Sequence, residues 1–173
     1  MVIMQKQTLD IKQEEKKVWD ILGHITDPEV PVLTILDLGI VRAVHYDANT
    51  IEIVITPTYS GCPAMDMIAA NIRMELLAAG YQNIQITHVL SPAWTTDWMS
   101  ESGKEKLKAY GIAPPNARQQ VCNNDLFAPH EAVQCPLCNS YHTHRVSEFG
   151  STACKALYQC DACKEPFDYF KCH

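Results

Sequence analysis

The chain has 173 residues, which is room for one ordinary domain and a small appendage. Its composition, 47% hydrophobic and 20% charged, is typical of a globular protein, and its net charge of -6 argues against a nucleic-acid partner, which would need a concentrated basic surface. Because the N-terminus lacks a signal-peptide core and no apolar run approaches the ~20 residues of a membrane span, we expect a cytoplasmic protein with no membrane partner.

The first third of the chain predicts a helix followed by a hairpin. Residues 12–25 carry apolar residues at helical spacing, while the charged residues 14–17 are expected to face away from the core. Residues 34–46 and 51–56 are rich in β-branched residues and are separated by a short polar turn. They predict a two-stranded hairpin with one buried face.

The next segments predict two more helices and a third strand. Residues 63–79 have an apolar residue at every fourth position, with proline in the first turn and Gly80 at the end. Residues 84–90 predict a strand, and residues 101–110 a further helix. The order helix, strand, strand, helix, strand predicts an α+β protein, a small α/β sandwich with helices packed on a short mixed sheet.

The tail contains two short cysteine pairs. Cys135 and Cys138 form the first pair, and Cys160 and Cys163 form the second. This spacing is typical of a zinc ribbon, in which four thiolates close a tetrahedral structural site around Zn²⁺, although a single iron or a bridged cluster has the same ligand preference. About forty residues cannot bury a sufficient core, so bound metal is expected to stabilise the module. The alternative is four free buried cysteines.

These patterns divide the chain into an α/β domain over residues 1–110, a linker over 111–129 and a metal-binding module over 130–173. We expect the tail aromatics to form the small core of this module; they are Tyr141, Phe149, Tyr158, Phe167, Tyr169 and Phe170. Six further potential ligands have no assigned role: Cys122, Cys154, Cys172, His142, His144 and His173.

Cys62 is the candidate functional thiol of the first domain. It lies in a turn that leads from a strand end into a helix start, where backbone N–H groups and the positive helix end favour a thiolate. Gly61 allows the tight turn and leaves space near the sulfur. The alternative is that Cys62 is a small buried hydrophobe.

Three acidic residues precede this turn. Asp27 and Glu29 lie in a proline-stiffened loop, and Asp37 lies where the first strand is predicted to begin. The local alternative is that Asp27 caps a turn and Asp37 binds backbone N–H groups of the following loop.

Three motifs in this order resemble the small domain of cytosolic iron-sulfur cluster assembly factors. The motifs are Asp27-Pro-Glu-Val-Pro-Val, the segment from Leu36 to Val41, and Ser60-Gly61-Cys62-Pro63, and the resemblance extends over about residues 12–110. It implies that Cys62 is the reactive cysteine and that Asp27, Glu29 and Asp37 form the acidic motif. The segment from Ser147 to Cys160, followed by Glu165-Pro166-Phe167, is similar to the branch of this family that serves aerobic phenylacetate degradation.

This resemblance implies an accessory maturation factor of a multicomponent phenylacetyl-CoA monooxygenase (epoxidase), with the iron-sulfur reductase component as its protein client. A thiolate at Cys62 would bind iron or an iron-sulfur cluster transiently and release it to a client with better ligands. One cysteine cannot hold a cluster fully, so a second protomer of a homodimer, a small thiol or the client would complete the coordination.

Two other functions remain open from the sequence. One is an enzymatic role, with Cys62 as nucleophile beside a base such as His88 or with the chain as a reacting subunit of the epoxidase, although we expect no catalysis by the chain itself. The other is a non-catalytic scaffold. Paired Glu and Glu-x-x-His motifs and a Gly-rich dinucleotide motif are not found, so oxygen activation or hydride transfer by this chain is not expected.

Overall fold

The computed structural model describes residues 2–47, 49–115 and 133–171. Internal contacts divide the chain into two compact units, Met1–Trp94 and Thr95–His173. Among the described helices, none combines the length and the apolar character that crossing a membrane requires. Most of the predicted linker, 116–129, lies outside the described residues, as do Cys122, Cys172 and His173.

The first unit contains two helices and a three-stranded sheet in the predicted order. Its elements are α1 (Val2–Leu22), β1 (Val41–Asp47), β2 (Thr50–Ile55), α2 (Ala64–Ala78) and β3 (Asn83–His88). The sheet order is β1-β2-β3. Strands β1 and β2 pair antiparallel, whereas β2 and β3 pair parallel and are connected through α2. The predicted α+β fold with a short mixed sheet is therefore confirmed.

The core of this unit follows from the apolar periodicities of its elements. Ile51, Ile53 and Ile55 alternate along β2 and are each 0% exposed. Residues at helical spacing supply the facing layer, and each fully buried side chain of this size contributes about 1.5 to 3 kcal/mol. These residues are Val18 and Leu22 of α1, with Ile68, Ile72 and Leu76 of α2.

The first strand begins later than predicted, at Val41 rather than Thr34. The β-branched residues before it form a turn because Thr34 and Asp37 bind each other. The Asp37 Oδ2 atom accepts bonds from the Thr34 N–H (3.1 Å) and hydroxyl (3.0 Å), and Thr34 Oγ1 accepts one from the Asp37 N–H (3.0 Å). Such local side-chain bonds compete with strand pairing.

The sequence predicted that the charged residues of α1 face away from the core, but two of them contact other parts of the first unit. Glu14 Oε2 accepts a 2.9 Å hydrogen bond from the Tyr81 hydroxyl, and Glu15 Oε1 accepts a 3.3 Å bond from the Tyr46 N–H. Burial, followed by the bond to Glu14, raises the pKa of Tyr81 to about 12. The two carboxylates therefore attach α1 to the loop after α2 and to β1.

The described residues of the second unit form one α-helix and a four-stranded sheet. Its elements are α3 (Glu101–Tyr110), β4 (Ile112–Ala113), β5 (Thr143–Ser147), β6 (Lys155–Cys160) and β7 (Pro166–Phe170), in the sheet order β4-β7-β6-β5. Strand β4 pairs parallel with β7, so the first residues of the predicted linker belong to this sheet. The predicted domain limits at 110 and 130 stay a prediction.

The aromatic core predicted for the tail is only partly correct. Tyr158, Phe167 and Tyr169 are buried in one cluster. The centre of the Tyr158 ring lies 5.9 Å from that of Phe167 and 5.5 Å from that of Tyr169. Phe170 is also buried, at 1% exposure. Tyr141 and Phe149 are 58% and 64% exposed, so they do not belong to the core. The Lys171 ammonium lies 4.7 Å from the centre of the Phe149 ring.

Candidate metal centre and thiol site

The structure brings the four paired cysteines of the second unit to one point. The sulfurs of Cys135, Cys138, Cys160 and Cys163 all lie within 4.8 Å of one another. The closest contacts join different pairs, with Cys138 Sγ 3.5 Å from Cys160 Sγ and Cys135 Sγ 3.8 Å from Cys163 Sγ. Cys135 and Cys160 are fully buried, Cys163 is half-buried and Cys138 is exposed.

This arrangement fits a tetrahedral metal ion. A metal–sulfur bond of ~2.3 Å in a regular tetrahedron separates the sulfurs by about 3.8 Å, which agrees with the two shortest distances. Four thiolates suit Zn²⁺ and also tetrahedral iron, because both prefer soft sulfur ligands at this length. The four cysteines are therefore placed to bind one metal ion together.

The two cysteine pairs have the same backbone geometry. The first cysteine of each pair accepts a 2.9 Å bond at its carbonyl oxygen, from the N–H of Asn139 in one pair and of Lys164 in the other. Both donors have positive φ, 60° for Asn139 and 67° for Lys164. The N–H groups of Cys135 and Cys160 donate to the carbonyls of Ser140 (2.9 Å) and Glu165 (3.0 Å).

The same equivalence extends to the side chain before each pair. Gln134 Nε2 donates to the Asn139 carbonyl at 3.2 Å, and Gln159 Nε2 donates to the Lys164 carbonyl at 3.2 Å. We define the two knuckles as residues 134–140 and 159–165. The sequence analysis did not single out either glutamine, although the pattern Gln-Cys-x-x-Cys occurs twice and could have shown the repeat.

Hydrogen bonds and crowding give the thiols of this centre very different pKa values. The N–H of Cys163 is the largest of several donors that lower the pKa of Cys160 to about 6. The Glu165 N–H acts in the same direction on Cys163, but burial and the neighbouring thiols together raise its pKa to about 12. For Cys138, the lowering effect of the Ser140 N–H is outweighed by burial and by Cys160, so its pKa is raised. Without metal, the centre therefore holds both thiolates and protonated thiols.

Cys62 lies in the loop between β2 and α2, directly before the N-cap residue Pro63. Its own N–H donates to the Tyr59 carbonyl (3.2 Å), and its carbonyl accepts from the Met65 N–H (3.3 Å). Gly61 has φ 90°, so the expected tight glycine turn is present. A Cβ at Gly61 would meet nothing within 4 Å, which leaves open space beside the thiol-bearing residue.

The expectation that Cys62 has a lowered pKa is wrong. Burial raises the pKa of the half-buried Cys62 thiol, and the charges of Glu29 and then Asp27 raise it further. The N–H of Ala64 and the Tyr59 hydroxyl act in the opposite direction but do not outweigh these effects. Helix N-terminal donors are present as predicted, but burial, with the acidic loop as a smaller contribution, keeps the pKa of Cys62 raised.

The acidic loop lies beside Cys62, but its members have different contacts. Asp27 is 8% exposed, and its Oδ1 atom accepts 2.8 Å bonds from the N–H groups of Glu29 and Val30, which is the local turn cap. Asp37 is 7% exposed, and its Oδ2 atom accepts bonds from the N–H and the hydroxyl of Thr34. Of the acidic residues, Glu29 has the larger electrostatic effect on the thiol.

Two hydrogen bonds tie the segment after the acidic loop to more distant parts of the first unit. The Thr56 N–H donates to the Ile40 carbonyl (2.8 Å), and the Trp94 indole N–H donates to the Leu38 carbonyl (2.8 Å). Trp94 is 3% exposed, so this bond is shielded from water. Tyr59 is a functional candidate that the sequence did not reveal, because its side-chain hydrogen bond to the Cys62 thiol depends on the folded loop.

Among the described residues, the other candidate ligands of the sequence do not belong to the four-sulfur group. Cys154 is buried, with its sulfur 3.0 Å from the Thr152 hydroxyl. His144 Nδ1 lies 3.2 Å from an Asp161 carboxylate oxygen, and His142 contributes its carbonyl to the Asp161 N–H. His88 is exposed at the end of β3. The side chains that shift the pKa of Cys62 are Glu29, Tyr59 and Asp27.

Two family models match separate parts of the chain. Residues 15–86 match the family described as iron-sulfur cluster assembly protein, and residues 119–171 match the PaaD zinc beta ribbon domain. A crystal structure of the DUF59 domain from Bacillus anthracis is 28% identical, with a TM-score of 0.54, and covers 58% of this chain and 96% of its own. The fold and the cysteine centre thus define an iron-sulfur cluster assembly domain with a zinc ribbon.

Similarity to curated proteins extends over both units. An Escherichia coli (strain K12) protein, described as a putative subunit of 1,2-phenylacetyl-CoA epoxidase, is 49% identical over 98% of this chain and 99% of its own length. A Porphyromonas gingivalis protein named "Fe-S protein maturation auxiliary factor" is 32% identical over 55% of this chain and 91% of its own. The chain therefore belongs to the PaaD family of iron-sulfur cluster assembly proteins.

Proposed function

We propose that this chain is an accessory maturation factor of a phenylacetyl-CoA epoxidase complex in the cytoplasm, which assists assembly or insertion of the iron-sulfur cluster of the reductase component. The names of the two curated relatives support the complex and the maturation activity, respectively. In this proposal Cys62 is the transient ligand of the cargo, Glu29 acts on its thiol, and Asp27 and Asp37 hold the acidic loop in place.

The observation that carries this proposal is the half-buried Cys62 just before α2, whose pKa is raised by burial and by the acidic loop beside it. Metal binding at a thiol with a raised pKa must displace a proton, which weakens binding and favours release. A client site with several thiolates can then remove the cargo. Because Cys62 is a single thiolate donor, the client or a small thiol supplies the remaining ligands.

The second unit has a structural role in this proposal. Zinc bound by Cys135, Cys138, Cys160 and Cys163 stabilises the ribbon, which serves as a docking or stabilising module over the limits 130–173. A closed four-thiolate site suits structure rather than catalysis. We accordingly propose that the chain is not itself catalytic.

Cluster content of the reductase tests this function. The epoxidase components are expressed in cells with wild-type chain, Cys62→Ser or Cys154→Ala, a matched control that removes a thiol from the other unit. Iron and acid-labile sulfide are measured on the purified reductase. We expect the Cys62 variant to leave the reductase without its cluster, whereas equal cluster content in all three strains contradicts a role for Cys62. Circular dichroism of the purified variant establishes that it is folded.

A second candidate function is a permanent subunit that takes direct part in the epoxidase reaction or acts as its scaffold. The word "subunit" in the name of the Escherichia coli relative favours it. Reconstitution from a reductase that already holds its cluster separates the two functions. Full turnover without this chain supports a maturation factor, whereas turnover that requires one chain per complex supports a subunit.

A further inference from the structure

One side of α2 exposes an apolar stripe to solvent. Met67, Met74 and Leu77 are 55%, 59% and 43% exposed, and the exposed Ala70 lies between them. These four residues follow one another at intervals of three or four positions, so they share one helix face. We call them the Met stripe. The residues that α2 buries in the core lie on another face: Ala64, Met65, Ile68, Ile72 and Leu76.

The Met stripe is self-complementary about Ala70. Met67 lies three residues before Ala70 and Met74 lies four residues after it, so an antiparallel copy places each methionine opposite the other. Ala70 at the crossing point has a small side chain, which lets two helices approach closely. Methionine side chains adapt their shape and fill the space on both sides of such a contact.

The charges beside the stripe have the same symmetry. Asp66 and Arg73 lie on one flank of the Met stripe, seven residues apart and of opposite sign. In an antiparallel pair centred on Ala70, Asp66 lies within one residue's rise of Arg73 of the second copy, and the reverse pair forms by symmetry. The Arg73 Nη1 atom donates to the Ile84 carbonyl of β3 at 3.1 Å, so pairing with Asp66 of a second copy uses the other N–H groups of this guanidinium.

We propose that α2 forms the interface of a homodimer, in which the Met stripes of two copies pack antiparallel about a two-fold axis at Ala70. Helix α2 has 15 residues and is therefore about 22 Å long. Two helices of this length bury less than the ~1,200 Å² at the lower limit of stable interfaces. The dimer is accordingly weak and is expected to form only at high protein concentration.

This geometry has a consequence for Cys62. Eight residues separate Cys62 from Ala70, so the two Cys62 residues of the dimer lie about 24 Å apart along the helix direction. They cannot share one cluster. Leu77 of the second copy instead lies level with Pro63, next to the Cys62 loop, and shields it. The dimer does not depend on the proposed function of Cys62, and each can fail without the other.

Sedimentation velocity of the full metal-loaded chain, over roughly 1 to 500 µM, tests the dimer. We expect concentration-dependent association that weakens about tenfold in the double variant Met67→Gln/Met74→Gln. Alkylation of Cys62 should slow with protein concentration in the wild type only. A chain that stays monomeric up to the highest concentration overturns the proposal and leaves the Met stripe to another partner.

Charge reversal tests the antiparallel register. Asp66→Arg and Arg73→Asp each place like charges opposite one another, so each variant alone should associate about tenfold more weakly. In a mixture of the two, every charged pair again has opposite signs, and association should recover. No recovery in the mixture, with both variants folded by circular dichroism, overturns the register. Glu75→Lys, on the other flank, is the control and should leave association unchanged.

Discussion

Gln134 and Gln159 occupy equivalent positions in the two knuckles and make the same hydrogen bond. Each donates its side-chain N–H at 3.2 Å to the carbonyl of the left-handed residue after the second cysteine of its pair. The bond ties the residue before a knuckle to the residue after it. The knuckle is therefore closed by a side chain that does not itself bind the metal.

Removal of either glutamine should weaken metal binding. A hydrogen bond of this kind contributes about 0.5 to 1.5 kcal/mol, which corresponds to a roughly 2- to 10-fold loss of metal affinity because metal binding and folding are coupled. Gln134→Ala and Gln159→Ala should lose similar amounts, measured by competition with a chromogenic chelator. The exposed Gln85 in the first unit supplies the control, Gln85→Ala. Equal affinity in all three variants would show that the bonds are not needed.

Metal binding should become stronger as the pH rises. The raised pKa values of Cys138 and Cys163, about 12 for the latter, mean that both carry protons in the metal-free centre at neutral pH. The metal displaces at least these two protons, so affinity should increase about 100-fold per pH unit between pH 7 and 8. Calorimetry in buffers with different ionisation enthalpies counts the protons released. A count below two would contradict the prediction.

Cys62 should react slowly with iodoacetamide at neutral pH. Because its pKa is raised, the alkylation rate should still increase above pH 9, where an ordinary thiol approaches its plateau. Glu29→Gln removes a negative charge and should lower this pKa, so it should accelerate alkylation of Cys62 at pH 8. Peptide mass spectrometry resolves Cys62 from the other thiols. Glu75→Gln is the matched control, and an equal acceleration there would remove the specific role of Glu29.

Tyr81→Phe should destabilise the first unit by about 1 to 2 kcal/mol, because the Glu14 carboxylate loses its 2.9 Å hydroxyl partner. The pKa of Tyr81 is about 12 in the folded chain and about 10 in an unfolded one. The stabilisation is therefore complete below pH 10 and is lost as the pH rises to 12. The pKa of Glu14 is lowered, chiefly by Lys17 and then by Tyr81, so its contribution is lost as the pH falls below about 4.5.

Denaturant unfolding of wild type and Tyr81→Phe at several pH values checks this assignment. The difference in free energy of unfolding should be largest between pH 6 and 9 and should decrease above pH 10. Tyr110→Phe, at a side chain that is 59% exposed, is the control. A difference that does not change with pH would mean that Tyr81 acts through packing rather than through its hydroxyl.

The sequence predicted those elements whose signals are local. Helix α3 matches its predicted limits because Ser100 caps it, with Oγ accepting from the Gly103 N–H at 2.9 Å, and Gly111 ends it at φ 89°. The four-cysteine centre followed from spacing alone. The two residues of β4 were not predictable, since they pair with β7 more than fifty positions later in the chain.

The thiol site was predicted less well because it depends on the sum of several contacts. The helix start that lowers the pKa of Cys62 is visible in the sequence, but burial and the approach of Glu29 are tertiary effects. In the same way, the reciprocal bonds of Thr34 and Asp37 replaced a predicted strand with a turn. Residue types indicated where the site lies, whereas its electrostatics required the folded chain.

The closest sulfurs of the metal centre belong to different knuckles, 22 residues apart for Cys138 and Cys160. A bound ion thus acts as a removable cross-link between distant parts of the chain. A cross-link that closes a loop of this length lowers the entropy of the unfolded chain, which stabilises the folded state by about 3 kcal/mol on the scale used for disulfides. The β5–β6 hairpin lies inside that loop, so a cell that controls the metal also controls the configurational freedom of this hairpin, without any redox chemistry.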